Sequence, residues 1–316
     1  MEIEKLGERK LIDIIRGRYS YAWPNSDCAY FDAGKKRILI TNDAITQNTH
    51  IPNGSDPKDV GYFFAAINLS DIAAMGGTPK YFMSSIILPP KLDSEYLIGL
   101  EDGIKECLGR YKVKMIGGDL KKGKELAMTG IAIGEVDRSR MMQRLSMKSG
   151  EALCVTGDLG YNATGYYEWK NGSNNGAAIL LDVEPRIKEG KFLSHNGVRA
   201  AMDLSDGVYS AIHQLKSATG LGFEIFYDSI PRSSEAWLVS ESRAIDLEQL
   251  CLNFGGDYQL MFSVKESMFD DLKRKASAQG IKITRIGKVT MGRNVLVKDA
   301  KRINIRKYGY EHFITD

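Results

Sequence analysis

Six aspartates carry the clearest chemical signal in the sequence. Five lie in loops or near the ends of predicted elements, namely Asp27, Asp43, Asp119, Asp203 and Asp206. The sixth, Asp71, lies in the most apolar predicted helix, three residues after Asn68 and on the same helix face. A carboxylate there is costly to bury unless a cation or hydrogen bonds compensate its charge. Oxygen ligands of this kind suit Mg²⁺, which keeps some waters and is shared with substrate phosphates.

Each of these aspartates also has a purely structural interpretation. Asp43 and Asp119 could be ordinary turn residues, and Asp206 could be an acidic residue at a helix N-terminus. Asp71 could face solvent near a helix end. The four histidines are dispersed along the chain, so the sequence does not predict a zinc site. A single aspartate therefore does not identify the function; the sequence contexts of all six, taken together, do.

One segment nearly matches a common phosphate-binding motif. Residues 118–124 read GxxxxGK, but Glu125 stands where a serine or threonine should hold magnesium. The residues that follow are strand-like and not helical. The dinucleotide-binding pattern GxGxxG is absent from the sequence. We therefore expect phosphate groups to be held in another way.

Length, charge and cysteine content indicate a globular protein that binds small molecules. The chain has 316 residues, of which 43% are hydrophobic, which is enough for two domains with a substantial core. A formal net charge of +3 is too small to indicate binding to nucleic acid or to an anionic membrane. The four cysteines form no CxxC pair and fit a reducing compartment. Without a recognisable signal peptide or membrane span, we expect a cytoplasmic protein.

The first half of the chain is predicted to be a βαβ-rich domain. Its clearest element is a helix that begins after the N-cap Asp56, has Pro57 in its first turn and carries apolar residues at helical spacing. Gly76, Gly77 and Pro79 would end this helix. The other predicted elements of this half are helices over residues 4–15 and 95–108, strands over residues 37–41, 83–88, 113–116 and 126–133, and a loop over residues 42–53.

A basic, irregular stretch over residues 138–150 marks the predicted domain boundary. The second half then combines strands and helices. Its predicted elements are strands over residues 152–156, 223–227, 258–264 and 281–286 and a helix over residues 206–218. The sequence therefore predicts a two-domain α+β protein, with an N-terminal domain over residues 1–137 and a C-terminal α+β domain over residues 138–316.

Four segments, in the same order, resemble the thiamine-monophosphate kinase family. They are NLSDIAAMGG at residues 68–77, IGGD at residues 116–119, AMDLSDG at residues 201–207 and GGDYQL at residues 255–260. This family belongs to the superfamily that includes aminoimidazole ribonucleotide synthetase. The resemblance implies a two-domain α+β fold whose N-terminal domain binds ATP and Mg²⁺ and forms the dimer contact. In the implied homodimer, the N-terminal domains join their sheets into a barrel.

The resemblance also implies roles for individual residues. It places Asp27, Thr41, Asn42, Asp43, Asp71, Asp119, Asp203 and Asp206 at magnesium-ligand positions, where Asp43 and Asp71 would bridge more than one ion. The positions that contact ATP are occupied by Gly118, Asp119, Arg144 and Ser205. The candidates for contact with thiamine monophosphate are His50, Asp257 and Tyr310. No catalytic residue is expected beyond the metal cluster.

The sequence departs from the family pattern at three positions. Ser26 stands where an aspartate is usual, although the aspartate that follows it, Asp27, is kept. Gly256 replaces the glutamate that faces the substrate; Asp257 could take over the role of that glutamate or could be a turn residue. Asn42 stands where a hydroxyl residue is common. The resemblance therefore supports nucleotide binding more strongly than it supports recognition of the substrate.

The implied reaction transfers the γ-phosphoryl group of ATP to thiamine monophosphate, giving thiamine diphosphate and ADP. Because the acceptor is already a phosphate, its attacking oxygen is anionic near neutral pH and needs no base to remove a proton. Several Mg²⁺ ions between the two polyanions would offset their mutual repulsion. The sequence accordingly shows no Ser-His-Asp or Cys-His arrangement.

Two other functions stay open at this point. One is another ATP-dependent enzyme of the superfamily, acting on a formylglycinamidine ribonucleotide, a carbamoylated protein tail or selenide. The N-terminal region lacks a reactive cysteine and lysine pair, which argues against selenide, and the C-terminal Thr315 and Asp316 are not accompanied by a cysteine, which argues against tail modification. The other is a nucleotide- or thiamine-binding protein that lost catalysis, which Ser26 and Gly256 would explain.

Overall fold

The computed structural model describes residues 3, 6–19, 25–173, 175–306 and 309–312. The strands are β1 (Ala29–Ala33), β2 (Lys36–Thr46), β3 (Thr78–Leu88), β4 (Lys114–Lys122), β5 (Ala127–Asp137), β6 (Ala152–Thr156), β7 (Ala200–Asp203), β8 (Leu221–Phe226), β9 (Leu260–Val264), β10 (Ile283–Met291), β11 (Val295–Lys298) and β12 (Lys301–Asn304). The helices are α1 (Glu8–Arg18), α2 (Gln47–His50), α3 (Pro57–Ala74), α4 (Ser94–Arg110), α5 (Tyr161–Lys170), α6 (Gly176–Leu181), α7 (Ile187–His195), α8 (Val208–Thr219), α9 (Ser234–Arg243) and α10 (Phe269–Ser277).

The first half of the chain is built on a five-stranded sheet with the order β1-β2-β5-β3-β4. Its strands pair antiparallel except β3 and β4, which are parallel and are joined through α4 as a βαβ unit. Helix α3 packs against β2, β3 and β5, and it also contacts α4, α7 and β7. Helix α3 is therefore enclosed by elements of both halves of the chain.

The sequence of α3 explains both its start and its depth of burial. The Asp56 carboxylate accepts a hydrogen bond of 2.8 Å from the Lys58 backbone N–H, which is the predicted N-cap. Two glycines then let α3 and α4 approach closely, since a Cβ atom on Gly61 would lie 1.9 Å from the Leu100 carbonyl oxygen and one on Gly103 equally close to the Lys58 carbonyl oxygen. The packing holds α3 rigidly, and with it every side chain that α3 directs toward the second half.

The second half is built on a seven-stranded sheet with the order β12-β11-β8-β10-β6-β9-β7. Strands β8 and β11 are parallel, and the other pairs are antiparallel. Alternate residues of β6 enter different cores: Leu153 and Val155 pack with α8 residues, whereas Cys154 packs with Leu272 of α10. Because both faces of this sheet are covered around β6 and β9, these two strands are buried at every residue and not at alternate ones.

Two predictions about the first half are wrong. Most of the predicted loop over residues 42–53 is regular structure. Strand β2 continues to Thr46 and pairs with β5, which places Asn42 opposite Ile131 and Asp43 opposite Gly130, and residues 47–50 form α2. Long-range pairing overrides the low strand propensity of asparagine and aspartate. Asp119 likewise lies inside β4 and not at the end of an element.

The remaining predicted elements are present in the structure, although several of their ends differ from the prediction. Helix α1 begins at Glu8 and ends at Arg18; of the predicted helix, residues 6 and 7 are not helical, and residues 4 and 5 lie outside the described residues. All four cysteines are buried and free. The two sheets lie on either side of residues 138–150, although the division at residue 137 stays a prediction. Within the described ranges, no helix is both long and apolar enough to cross a membrane.

Candidate active site

A cavity of about 500 Å³ is lined by residues from both halves of the chain, and most of the predicted site residues meet there. These are Asp27, Thr41, Asn42, Asp43, His50, Asp71, Arg144, Asp203, Ser205, Asp206 and Tyr310. A larger cavity of about 690 Å³ beside Lys58 and Arg110 includes none of the predicted site residues. The smaller cavity is therefore the candidate active site.

Three carboxylates form the centre of the site. One oxygen each of Asp27, Asp71 and Asp203 lies within 4.8 Å of the other two. They come from distant parts of the sequence: Asp27 precedes β1, Asp71 lies on α3, and Asp203 ends β7. Close approach of three carboxylates is unfavourable without positive charge between them. The arrangement is therefore suited to a cation.

Neighbouring side chains fix the orientation of these carboxylates. The Thr41 hydroxyl donates a hydrogen bond to Asp71, and the Ser70 hydroxyl donates one of 2.8 Å to Asp203. The Arg144 guanidinium donates two, of 2.7 and 3.2 Å, to the same oxygen of Asp27. The other oxygen of Asp27, Oδ2, is buried and has no hydrogen-bond partner among the described residues. A buried, unpaired carboxylate oxygen at this point is what a metal ligand requires before the metal arrives.

Burial and mutual repulsion raise the pKa of the clustered aspartates. Burial, followed by the charges of Asp43, Asp203 and Asp27, raises the pKa of Asp71 well above its usual value. Burial and then Asp27 raise the pKa of Asp203 to about 7, and burial and then Asp206 raise that of Asp43 to about 6. A divalent cation would remove the repulsion and return these carboxylates to their ionised form.

Asp43 is held at the edge of the cluster by an asparagine from α3. The Asp43 backbone N–H donates a hydrogen bond of 3.0 Å to Asn68 Oδ1, while Asn68 Nδ2 donates one of 3.0 Å to the Phe64 carbonyl oxygen. Gly130 on the neighbouring strand makes room for this amide, because a Cβ atom there would lie 2.5 Å from Asn68 Nδ2. Asn68 thus joins α3 to β2 and fixes the position of Asp43.

Asp206 also lines the cavity and lies just before α8. Gln214 Nε2 donates a hydrogen bond of 3.2 Å to its Oδ2 atom. Gly207 follows it with a φ of 87°, and a Cβ atom at that position would lie 2.4 Å from the Phe254 carbonyl oxygen. Only glycine fits such a turn, so Gly207 fixes the direction in which Asp206 points.

Two predicted ATP-contact residues are not brought to this cavity. Gly118 and Asp119 lie on β4, which is an edge strand of the first sheet and is exposed along its whole length. The Asp119 carboxylate instead forms an exposed ion pair of 2.7 Å with Lys121. Within one chain, these two residues are therefore separated from the other predicted ligands.

Asp257 is buried outside the cavity lining and holds the start of α5. Its two carboxylate oxygens accept hydrogen bonds of 2.8 Å from the Gly160 N–H and 3.3 Å from the Asn162 N–H. Burial raises the pKa of Asp257 to about 7, although the backbone amides partly oppose this shift. Of its two predicted roles, the geometry describes the structural one; contact with substrate stays a prediction.

The structure adds three polar residues to the site that the sequence did not single out. Glu8, Tyr258 and His312 line the cavity together with the predicted residues. Tyr258 lies within the GGDYQL segment, and His312 lies beside the predicted Tyr310, so their motifs could have identified them. Glu8 is one of several charged residues in an amphipathic helix, and no local pattern distinguishes it.

The chain matches two family profiles in succession. These are AIR synthase related protein, N-terminal domain, over residues 25–136, and AIR synthase related protein, C-terminal domain, over residues 148–299. A thiamine-monophosphate kinase from Buchnera aphidicola subsp. Schizaphis graminum is 32% identical over 301 residues, and the match covers 91% of each chain. The chain belongs to the thiamine-monophosphate kinase family. Within the AIR synthase superfamily, this is the branch that the sequence motifs resemble.

Other proteins similar to this chain include a thiamine-monophosphate kinase from Salmonella typhimurium, which is 31% identical over a match covering 92% of this chain and 91% of that protein. A solved structure described as AaThiL complexed with AMPPCP and TMP is 26% identical, covers 99% of both chains and superposes with a TM-score of 0.88. These similarities to the thiamine-monophosphate kinase family confirm the predicted two-domain α+β fold.

Proposed function

We propose that this protein transfers the γ-phosphoryl group of ATP to thiamine monophosphate, giving thiamine diphosphate and ADP. The observation that carries the proposal is the convergence of Asp27, Asp71 and Asp203 with Arg144 and Ser205 in one cavity. The similar solved complex contains AMPPCP together with TMP. In AMPPCP, a methylene group replaces the oxygen that bridges the β- and γ-phosphates of ATP. A site that holds both molecules at once is the one this reaction requires.

The clustered carboxylates would hold Mg²⁺. The donor set consists of oxygen atoms, and the unpaired Asp27 Oδ2 atom points to a missing partner. Asp27, Asp71 and Asp203 would bind one ion, with Asp43 and Asp206 available to others in the same cavity. When bound, Mg²⁺ supplies positive charge that offsets the repulsion between the two phosphate-bearing substrates.

The protein's own residues would orient the substrates. Arg144 is positioned to bind phosphate oxygens through charge-assisted hydrogen bonds, and no lysine accompanies it among the described lining residues. Burial, followed by the nearby His312, lowers the pKa of His50 to about 4, so its ring is neutral at physiological pH and can contact substrate without adding charge. Because the acceptor oxygen is already anionic, none of these residues needs to remove a proton.

We also propose a homodimer formed through the first sheet. Strand β4 leaves Met115, Ile116 and Leu120 between 41% and 55% exposed, which is unusual for large apolar side chains on a sheet edge. A second copy of the chain would cover this strand. Gly118 and Asp119 lie on the same strand, so they would reach an ATP site only in the partner of such a dimer.

The cytoplasm is the location that this proposal favours. ATP is the phosphoryl donor, and all four cysteines are buried as free thiols, as expected in a reducing compartment. Their burial without disulfides is consistent with a protein that folds in that environment.

An assay of purified protein tests the proposed reaction. With ATP, thiamine monophosphate and Mg²⁺, we expect thiamine diphosphate and ADP in equal amounts, separated by chromatography, and no product when a chelator removes the metal. Tight binding of both substrates without ADP formation would indicate a binding protein instead. ADP formation that requires formylglycinamidine ribonucleotide would indicate another enzyme of the superfamily.

A further inference from the structure

The two ends of the described chain meet at the candidate active site. The backbone N–H of Glu8, the first residue of α1, donates a hydrogen bond of 3.2 Å to the His312 carbonyl oxygen. The next N–H, of Arg9, donates one of 3.0 Å to Glu311 Oε1, and the Arg9 guanidinium forms an ion pair of 3.4 Å with the same carboxylate. Glu8 and His312 both line the cavity. Together with Tyr310, these segments form one wall of the site, which we call the terminal wall.

The terminal wall is anchored to the helix that follows a predicted metal ligand. The Arg9 guanidinium donates hydrogen bonds of 2.8 Å to the Ser210 hydroxyl and 3.4 Å to the Tyr310 carbonyl oxygen. Ser210 lies one turn of α8 beyond Asp206, and its hydroxyl is 3.5 Å from Asp206 Oδ2. The wall is therefore held at a fixed position relative to the carboxylates.

Aromatic rings and one carboxylate give the terminal wall its chemical character. The ring centroids of His50 and His312 are 5.3 Å apart, and those of Tyr310 and His312 are 5.0 Å apart. The Glu8 carboxylate makes no hydrogen bond or ion pair with the part of the chain that the structure describes. Aromatic faces beside an unpaired carboxylate form a favourable environment for a flat organic cation.

We infer that Glu8 supplies the negative charge that selects the positively charged thiazolium ring of the acceptor. This inference rests on the proposed function, which brings two ring systems into the cavity. The adenine ring of ATP is neutral, whereas the thiazolium ring carries a permanent positive charge. Arg144, which contacts Asp27 within the carboxylate cluster, suits the phosphate groups of both substrates. Glu8 would thus contact the acceptor ring directly and determine specificity, without taking part in phosphoryl transfer.

The substitution Glu8→Gln tests this inference because it removes the charge and keeps the shape of the side chain. In Mg²⁺-containing buffer, we expect thiamine monophosphate to bind about tenfold more weakly than to the unchanged protein, from the loss of one charge pair near the surface. Binding of a non-hydrolysable ATP analogue should stay the same. Phosphorylated hydroxyethylthiazole is a fragment of the acceptor whose thiazole ring carries no positive charge. Its affinity, measured by competition, should therefore be the same for both proteins.

Glu95→Gln is the matched control. Glu95 is exposed and, like Glu8, lies in the first turn of a helix, so the control reproduces any loss of helix stabilisation by an N-terminal acid. Equal melting temperatures of the two variants would show that Glu8→Gln leaves the fold intact.

Two results would overturn the role of Glu8. Unchanged binding of thiamine monophosphate to Glu8→Gln would exclude contact with its charge. Equal weakening of all three ligands, together with a higher Mg²⁺ requirement, would make Glu8 a metal ligand instead. The proposed function fails separately, if the unchanged protein neither binds nor phosphorylates thiamine monophosphate.

Discussion

The Ser70 hydroxyl donates a hydrogen bond of 2.8 Å to the Asp203 carboxylate, and this contact joins the two halves of the chain at the candidate active site. Ser70 lies on α3, which packs against the first sheet, and Asp203 ends a strand of the second sheet. The residue after Ser70, Asp71, belongs to the same carboxylate cluster as Asp203. The site therefore exists only when both halves are folded and docked against each other.

Asp71→Asn should abolish most of the activity without unfolding the protein. We expect turnover to fall by at least about a hundredfold, because charge stabilisation by a bound metal is worth several kcal/mol. In chelator, the melting temperature should not fall, because burial and neighbouring carboxylates already raise the pKa of Asp71. Asp102→Asn, an exposed substitution on α4, is the control and should keep full activity. Near-normal turnover in Asp71→Asn would contradict the metal assignment.

The stability of the metal-free protein should fall as pH rises. The pKa of Asp43 is about 6 and that of Asp203 about 7 in the folded state, above the value of about 4 for an unfolded aspartate. Between these values the folded state binds more protons, so its stability is greatest at low pH and declines as each carboxylate ionises. We expect the melting temperature in chelator to decline from about pH 4 to about pH 7.

Comparing the pH dependence of the melting temperature between the unchanged protein and Asp203→Asn isolates the contribution of Asp203 from that of other titrating groups. Asp203→Asn should show a shallower decline than the unchanged protein over the same pH range, and saturating Mg²⁺ should reduce the difference by restoring favourable charge pairing. If the melting temperatures of the two proteins in chelator declined equally with pH, the burial and neighbours of Asp203 would not raise its pKa.

Hybrid dimers can decide whether Asp119 serves its own chain or its partner. Asp71→Asn and Asp119→Asn should each be inactive alone. If Asp119 acts across the interface, a dimer with one chain of each kind keeps one intact site. Equal mixing by co-refolding should then restore about a quarter of normal activity, since half of the dimers are hybrid and half of their sites are complete. If Asp119 acts within its own chain, every hybrid site lacks a ligand, and mixing restores nothing.

Gly207→Ala should reduce both stability and activity. An alanine at this position would have to adopt a φ of 87°, and its Cβ atom would lie 2.4 Å from the Phe254 carbonyl oxygen. The turn that directs Asp206 must therefore move. We expect a loss of unfolding free energy of about 2–4 kcal/mol from strain and overlap together. Chemical denaturation measures this loss, and the kinase assay measures the displacement of Asp206.

Gly220→Ala separates strain from overlap. Gly220 also has a positive φ, of 73°, but a Cβ atom there would meet nothing within 4 Å. This control should cost about 1 kcal/mol and leave activity unchanged. Similar losses of activity in both variants would mean that the contact with Phe254 does not position the site.

Several features of the fold could be predicted because their causes are local. The N-cap Asp56, the apolar spacing of α3 and the glycines after it act over a few residues, and the helix forms where they predict. The unusual position of Asp71 in an apolar helix was also visible in the sequence. Other features were not predictable: the continuation of β2 through Asn42 and Asp43 depends on pairing with β5, almost ninety residues later.

The sequence by itself determined which chemical groups are present and which family they belong to, because motif letters and short-range periodicity do not depend on the rest of the fold. Only the tertiary structure decided which groups meet. The tertiary structure gathered Asp27, Asp71 and Asp203 in one cluster and placed Asp257 at the start of α5. It also brought Glu8, near the N-terminus, to the cavity that Asp203 and Asp206 line. Distances between such residues depend on how helices and sheets pack, and packing is set by the whole core and not by any one segment.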